Sequence, residues 1–272
     1  MKHLFFLLLF FTSSLPQNTY FKLVSSFPSD NTTYITSDNK GSLYAYQQDT
    51  LWKYDPDGDP IANFNDRLNY NLFSIDASNP YHVMLFYPDQ SQIDFINEYF
   101  KQENLSIDLD EIGMSRATVA CSSYENGFWL YNPVTSKLYR YNNQTNLVLS
   151  TKSLNEIISN DIEPNYMVEV NNTLYVNDPN IGIMIFTVDG EYVKTLQLNG
   201  IDKFQVIDGM ICYQSGLNLN IYNIYRGSNN VYSLPMEDVD ELAVSFAPDT
   251  WRLFIANKEG VYIYSVNMNL FK

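Results

Sequence analysis

Short runs of apolar residues recur along the chain in pairs, and a brief polar turn separates the two members of each pair. The first members of successive pairs begin roughly 37 to 46 residues apart. This interval is the length of one four-stranded blade of a β-propeller. The six pairs are residues 42–46 and 51–54, 82–86 and 93–96, 128–131 and 137–141, 173–176 and 183–187, 210–213 and 219–222, and 252–255 and 261–264.

A shorter run rich in β-branched and aromatic residues precedes each pair and predicts the innermost strand of a blade. These runs are residues 33–36, 72–76, 117–121, 166–170, 204–207 and 242–246. An outer strand follows the pair, as at residues 192–198, and the turns at 55–58 and 188–190 contain the glycine that tight hairpins need. The sequence therefore predicts an all-β fold, a six-bladed β-propeller over residues 17–272.

The two ends of the chain suggest how the ring closes. The last repeat has three strands, and residues 19–27 form a strand-like run that belongs to no complete blade. A closed propeller must join its first and last blades, because unpaired strand edges promote aggregation. We therefore predict that the N-terminal strand closes the last blade.

Two segments depart from the regular spacing. Residues 94–114 are longer than a blade connection requires, and we predict an outer strand at 105–109 after a short turn or helix. Residues 155–159 predict a second short insertion. Long loops between blades commonly carry binding surfaces.

The N-terminus has a short charged start and then an unbroken apolar run at residues 4–11, which ends before Pro16. This arrangement is typical of a signal peptide, and the run is too short for the roughly 20 residues of a membrane-spanning helix. We predict a signal peptide at residues 1–16, an exported protein, and a mature chain without direct membrane insertion.

Composition and charge limit the classes of molecule that we expect as partners. Hydrophobic residues make up 45% and aromatic residues 15% of the chain, which suits the half-buried surfaces of sheets. The net charge of −15 argues against nucleic acid, whose phosphates are bound by lysine and arginine. It leaves room for a basic partner or a bound cation. Cys121 and Cys212 fall on predicted blades that are not adjacent, so we expect buried free thiols.

Candidates for catalysis are few. His82 is the one histidine beyond the predicted signal peptide, and it begins a predicted strand, so we interpret it as structural. A serine triad depends on a histidine base, and a multi-histidine metal centre needs several histidines. Paired carboxylates remain available for glycan hydrolysis or lyase chemistry among the 31 acidic residues.

The remaining motifs favour structural roles. Residues 55–59 alternate carboxylates as a calcium loop does but lack its glycine and glutamate positions, so we interpret them as a hairpin turn. The acidic run at 237–241 is interpreted as an exposed loop between blades. Trp52, Trp129 and Trp251 lie on predicted blade strands in equivalent stretches, which favours packing between blades over a carbohydrate platform. We predict no catalytic, cofactor-binding or metal-ligating residue and no cofactor.

The segments at residues 105–113, 121–131 and 137–141 resemble exported propeller proteins from the envelope of type IX-secreting bacteria, over about 40 of 272 residues. The resemblance implies a periplasmic accessory subunit of the type IX secretion translocon, held near the outer membrane by its partners, and it carries over no active-site residue. We expect a non-enzymatic scaffold or interaction module for protein transport, with other envelope proteins, including outer-membrane secretion components, as partners. The alternatives are a carboxylate-based lyase or glycan hydrolase, and a propeller that binds a small ligand or carbohydrate.

Overall fold

The computed structural model describes residues 20–29, 32–65, 71–247 and 250–267. Within them, the strands form six antiparallel sheets of four strands each. The sheets are blades arranged around a central channel, so the prediction of an all-β, six-bladed β-propeller is confirmed. The predicted signal peptide, residues 1–16, lies outside the described residues.

In each blade the strands follow one another along the chain from the channel outward, except that the last blade takes its outer strand from the N-terminus. The first strand of the described residues is β1 (Phe21–Pro28). Blade 1 contains β2 (Thr32–Ser37), β3 (Leu43–Gln47), β4 (Thr50–Tyr54) and β5 (Pro60–Asn65), blade 2 contains β6 (Ser74–Asp76), β7 (His82–Tyr87), β8 (Gln92–Asn97) and β9 (Gln102–Asp108), and blade 3 contains β10 (Val119–Ser123), β11 (Gly127–Asn132), β12 (Lys137–Tyr141) and β13 (Leu147–Ser150).

The second half of the chain repeats this arrangement, with one short helix, α1 (Leu154–Ile158), between blades 3 and 4. Blade 4 contains β14 (Tyr166–Val170), β15 (Thr173–Asp178), β16 (Gly182–Thr187) and β17 (Tyr192–Leu196), blade 5 contains β18 (Phe204–Ile207), β19 (Met210–Ser215), β20 (Asn218–Asn223) and β21 (Ser228–Ser233), and blade 6 contains β22 (Glu241–Ala247), β23 (Thr250–Asn257) and β24 (Gly260–Val266).

The N-terminal strand completes blade 6. β1 pairs antiparallel with β24, with Phe21 opposite Val266 and Leu23 opposite Tyr264, and the register shifts once after Leu23. The predicted closure is therefore confirmed. The ring is joined by hydrogen bonds between strands from opposite ends of the sequence.

The hydrophobic core is divided among the interfaces between blades. The described residues contain six buried clusters, and each joins two neighbouring blades. On β3, Leu43 and Ala45 pack toward blade 6, whereas Tyr44 and Tyr46 pack toward blade 2. Both faces of a middle strand are thus buried, which explains why these strands are continuous apolar runs without polar alternation.

The two segments outside the regular spacing take simple forms. The outer strand predicted at residues 105–109 is β9, which begins three residues earlier, after a turn closed by the Asn97 and Lys101 backbones. The insertion predicted at residues 155–159 is α1. Neither segment changes the order of strands within its blade.

Antiparallel strands give the propeller two distinct faces. We call the turn face the end at which the first strand of each blade turns into the second and the third into the fourth. We call the loop face the opposite end, where the second strand turns into the third and the loops between blades run. The inner strands therefore run from the loop face to the turn face.

Candidate functional site in the central channel

In the described part of the chain, a cavity lies at each face of the channel. The cavity at the loop face has a volume of about 360 Å³. The cavity at the turn face is larger, about 610 Å³. Thr36, Tyr166 and Gln205 line both cavities and therefore lie where the two meet.

A polar network links three inner strands at this junction. The Gln205 amide nitrogen donates to Ser37 Oγ at 2.9 Å, and Ser37 Oγ donates to the Val244 carbonyl at 2.7 Å. The Val244 amide in turn donates to Gln205 Oε1 at 2.5 Å. Blades 5, 6 and 1 are thus held together beside the channel by satisfied hydrogen bonds.

A lysine braces the loop-face cavity. Lys203 forms an ion pair with Glu241, donates to the Ile35 carbonyl at 3.3 Å, and lies 4.2 Å from the centre of the Tyr34 ring. Burial lowers the pKa of Lys203, and the Asp202 carboxylate opposes that shift. The direct contact with Glu241 also favours the charged amine. Lys203 therefore ties blade 5 to blades 6 and 1.

The turn-face cavity is strongly acidic. Five carboxylates line it, and its described lining includes no lysine, arginine or histidine. The five are Asp38, Asp76, Glu125, Glu169 and Asp208. The walls of the cavity have a low dielectric constant and screen these negative charges only weakly. The electrostatic potential inside the cavity is therefore negative.

Glu169 on β14 is held by three neutral donors from blade 3. Its carboxylate accepts from Trp129 Nε1 at 2.7 Å, Ser123 Oγ at 2.6 Å and the Tyr124 amide at 3.1 Å. Arg140 lies behind them and donates to Ser123 Oγ at 2.8 Å and to the Tyr124 hydroxyl at 3.0 Å. Glu169 is therefore a fixed acceptor that joins blades 3 and 4.

Asp76 at the end of β6 is held differently, by backbone amides. One carboxylate oxygen accepts from the Ser122 amide and the other from the Ser78 amide, at 2.8 and 2.9 Å. Burial raises the pKa of Asp76, the hydrogen bonds from Ser78 and Ser122 lower it, and the nearby Glu169 carboxylate raises it. Asp76 is therefore a carboxylate whose charge is costly in this position.

Asp38 lines the same cavity, but neighbouring side chains compensate its negative charge. The Tyr44 hydroxyl donates to its carboxylate at 3.0 Å, and the Lys53 amine lies 3.6 Å away as an ion-pair partner. Among the described residues, no lysine or arginine pairs in this way with Asp76 or Glu169. Asp76 and Glu169 therefore lack the countercharge that Asp38 has.

Comparison with known proteins extends to fold alone. No family model and no curated protein matches the chain. Among solved structures it resembles a streptogramin B lyase (12% identity, TM-score 0.61, 91% of this chain and 98% of that chain) and virginiamycin B lyase from Staphylococcus aureus (11%, 0.62, 91% and 100%). It also resembles the WD40 domain of Neurospora crassa Pan2 (9%, 0.59, 92% and 96%). All three similarities rest on the propeller architecture.

The one histidine beyond the predicted signal peptide and the two cysteines are all buried. His82 begins β7, is buried, and stacks on Phe95 with ring centres 4.1 Å apart. Cys121 and Cys212 are buried free thiols in blades 3 and 5, as predicted, and burial raises the pKa of both. None of the three lies in the Asp76 and Glu169 pair.

The calcium-like stretch is a hairpin turn between β4 and β5. One Asp55 carboxylate oxygen accepts from the amides of Asp57 and Asp59, each at 2.9 Å. The Asp57 carboxylate pairs with Arg252 of blade 6 at 2.8 Å. The described residues contain no group of three or more His, Cys, Asp or Glu side chains placed to hold a metal ion.

The tryptophans pack between blades, as predicted, although their positions are not all equivalent. Trp129 and Trp251 lie on second strands, whereas Trp52 lies on a third strand. In the acidic run at 237–241, which was predicted to be an exposed loop, only residues 237–240 lie in the loop between blades 5 and 6. Glu241 begins β22 and reaches Lys203.

The channel residues were not predicted from the sequence, although the sequence contains a signal for two of them. Glu169 interrupts the apolar inner strand at 166–170, and Asp76 ends the one at 72–76. A charge within a strand that is buried on both faces needs a partner or a function.

Within the described residues, no helix has the length and apolar character needed to cross a bilayer.

Proposed function

We propose that this propeller is a non-enzymatic interaction module that holds other envelope proteins on its turn face. The observation that carries this proposal is a set of exposed aromatic side chains at the turns of that face. Tyr81, Tyr99, Tyr124 and Tyr225 are 54%, 73%, 38% and 86% exposed. Tyrosine is enriched at protein interfaces because it offers a large contact area and a polar tip.

Three of these tyrosines lie in turns that are fixed by the same kind of hydrogen bond. An asparagine two residues earlier accepts a hydrogen bond from the tyrosine amide, as in Asn97 with Tyr99 at 3.0 Å and Asn223 with Tyr225 at 3.0 Å. Asn79 does the same for Tyr81 at 3.1 Å. Fixing the turn before binding lowers the entropy lost when a partner docks.

The resemblance of residues 105–113, 121–131 and 137–141 extends the proposal to a cellular role. We infer that the protein acts in the periplasm as an accessory subunit of the type IX secretion machinery, with outer-membrane secretion components among its partners. The predicted signal peptide at residues 1–16 supports export to that compartment.

A second candidate is a carboxylate-based lyase or glycan hydrolase, because Asp76 and Glu169 line one cavity. A raised pKa suits Asp76 to the role of a general acid. Against this role, Glu169 already accepts three hydrogen bonds from blade 3. Glycan turnover by purified protein that disappears in Asp76→Asn would favour the enzyme.

Affinity isolation from the native envelope tests the scaffold. Tagged full-length protein is recovered from detergent extracts together with the variant Tyr81→Ala/Tyr99→Ala/Tyr225→Ala. We expect envelope proteins to co-purify with the wild type and to fall about tenfold or more with the triple variant, since buried interface tyrosines are frequent hot spots.

The matched control is Val134→Ala/Leu217→Ala, which removes exposed apolar side chains from the loop face. This variant should retain the co-purifying proteins. Recovery of the wild type alone from the extract, or equal losses in both variants, would contradict the turn-face scaffold.

A further inference from the structure

The turn-face cavity combines two acidic side chains with a third polar group that lacks a partner. Ser122 lies on β10 between Asp76 and Glu169 and lines the cavity. It is 6% exposed, and its hydroxyl oxygen has no hydrogen-bond partner among the described residues. A buried hydroxyl without a partner costs about 1–3 kcal/mol, so a ligand that satisfies it gains affinity.

The groups around Asp76 do not supply the missing positive charge. Among the described residues, Tyr34, Cys121, Tyr166 and Glu169 are titratable side chains that interact with it electrostatically. Burial raises the pKa of Tyr34, Tyr166 and Cys121, so these three are neutral at physiological pH. The one remaining charge, Glu169, has the same sign as Asp76.

We propose that the turn-face cavity binds an organic cation, an alkylammonium or guanidinium group, which donates hydrogen bonds to Asp76, Glu169 and the Ser122 hydroxyl. Such a group has several N–H donors and no acceptor, which matches a site built from acceptors. It also provides the countercharge that Lys53 already provides for Asp38 in the same cavity.

The chemistry of the site favours an organic cation over a metal ion. Calcium takes six to eight oxygen ligands, whereas the described residues contain no group of three acidic, histidine or cysteine side chains placed closely enough to hold a metal ion. A cavity of about 610 Å³ exceeds the needs of one metal ion and admits a whole side chain or small amine.

The cation can come from a partner protein or from a free amine, and the first source rests on the proposed scaffold function. Tyr81 and Tyr124 occupy turns on the same face as the cavity. A partner docked on this face could insert a lysine or arginine into the channel and bury it among the carboxylates. This is the type of buried charged anchor that dominates many interfaces.

Isothermal titration calorimetry on the purified full chain tests the proposal. The probes are Nα-acetyl-arginine amide, Nα-acetyl-citrulline amide, which has nearly the same shape without charge, and spermidine. We expect binding of at least one of the two cationic probes and none of citrulline. Arginine binding without spermidine binding assigns the site to a partner side chain, whereas the reverse assigns it to a free polyamine.

Two variants test whether the cation binds in the turn-face cavity. Asp76→Asn should weaken cation binding about tenfold or more, and Ser122→Ala should weaken it severalfold. The control Asp110→Asn removes an exposed carboxylate in a loop on the opposite face and should bind as the wild type does. Circular dichroism of each variant shows that the fold is retained.

The proposal is overturned if neither cation binds, if citrulline binds as tightly as arginine, or if folded Asp76→Asn and Ser122→Ala both bind cations normally. These results would leave the capture of envelope partners by the turn-face tyrosines unaffected. Failure of the wild type to recover envelope proteins, together with normal cation binding, would instead contradict the scaffold alone.

Discussion

Asp76 carries a charge that its burial in the channel makes unfavourable. Its carboxylate accepts two backbone amides, but burial and the neighbouring Glu169 carboxylate both disfavour ionisation. A side chain held in an unfavourable ionisation state often serves a function that offsets its cost in stability. The proposed cation would remove this penalty by pairing with Asp76.

This burial predicts a specific pH dependence. Because the pKa of Asp76 is raised above its ordinary value of 3.8, the folded state holds a proton that the unfolded state releases between those two pKa values. The free energy of unfolding of the wild type should therefore fall, relative to that of Asp76→Asn, as pH rises from 3.8 through the raised value. Urea unfolding at a series of pH values measures the difference.

The control for this measurement is Asp110→Asn, whose free energy of unfolding should follow that of the wild type at every pH. A difference between wild type and Asp76→Asn that is constant across pH would show that Asp76 ionises normally.

Single residues were predictable from the sequence where local geometry decides their role. Asp55 caps its own turn through contacts two and four residues away, so the hairpin could be inferred from proline, aspartate and glycine. The ion pair between Lys203 and Glu241 could not, because it joins residues 38 positions apart on different blades. Its existence depends on how blades pack.

At the scale of elements, the middle strands were located closely because each is buried on both faces. The outer strands have one pairing neighbour and one exposed edge, so they need little apolar content. β21 is exposed at most positions, and β9 begins three residues before the predicted start. Their limits are set by backbone pairing with the third strand, which leaves a weak trace in the sequence.

Two glycines with positive φ, Gly182 in the hairpin between β15 and β16 and Gly200 in the loop between blades 4 and 5, are predicted to differ in their tolerance of alanine. Gly182 has φ +108°, and a Cβ there would overlap the Leu196 carbonyl oxygen, whereas Gly200 has φ +71° with open space around it. Both alanine substitutions should cost about 1–2 kcal/mol for the unfavourable φ. Gly182→Ala should cost about 1–3 kcal/mol more, because the overlap forces the backbone to shift.

Urea unfolding of Gly182→Ala and Gly200→Ala, monitored by circular dichroism, measures both costs. Gly200→Ala acts as the control, since it shares the positive φ without the steric overlap. Equal losses in the two variants would mean that β16 and β17 can separate at Gly182 without cost.

At the scale of the whole molecule, stability depends on closing the ring. Phe21 is 4% exposed and packs in the cluster between blades 5 and 6, although it lies at the start of the described chain. Its strand covers the edge of β24 that would otherwise be unpaired. The closure thus combines strand pairing with core packing.

Phe21→Ala should therefore lower the free energy of unfolding by about 3–5 kcal/mol, as expected for a large aromatic side chain removed from a core. Lys22→Ala, at the next and exposed position of β1, should change it by less than about 0.5 kcal/mol. Chemical unfolding followed by tryptophan fluorescence reports both values. A small effect of Phe21→Ala would indicate that blade 6 is stable without its N-terminal strand.

The period of the apolar runs by itself determined the number of blades, their strand order and the closure by β1. It could do so because each blade is a local unit in which consecutive strands pair, and burial on both faces leaves a strong apolar pattern. Tertiary structure alone decided the channel. Asp76, Ser122 and Glu169 come from three different blades, and the acidic cavity they form, like the turn face with its tyrosines, exists only once the ring has closed.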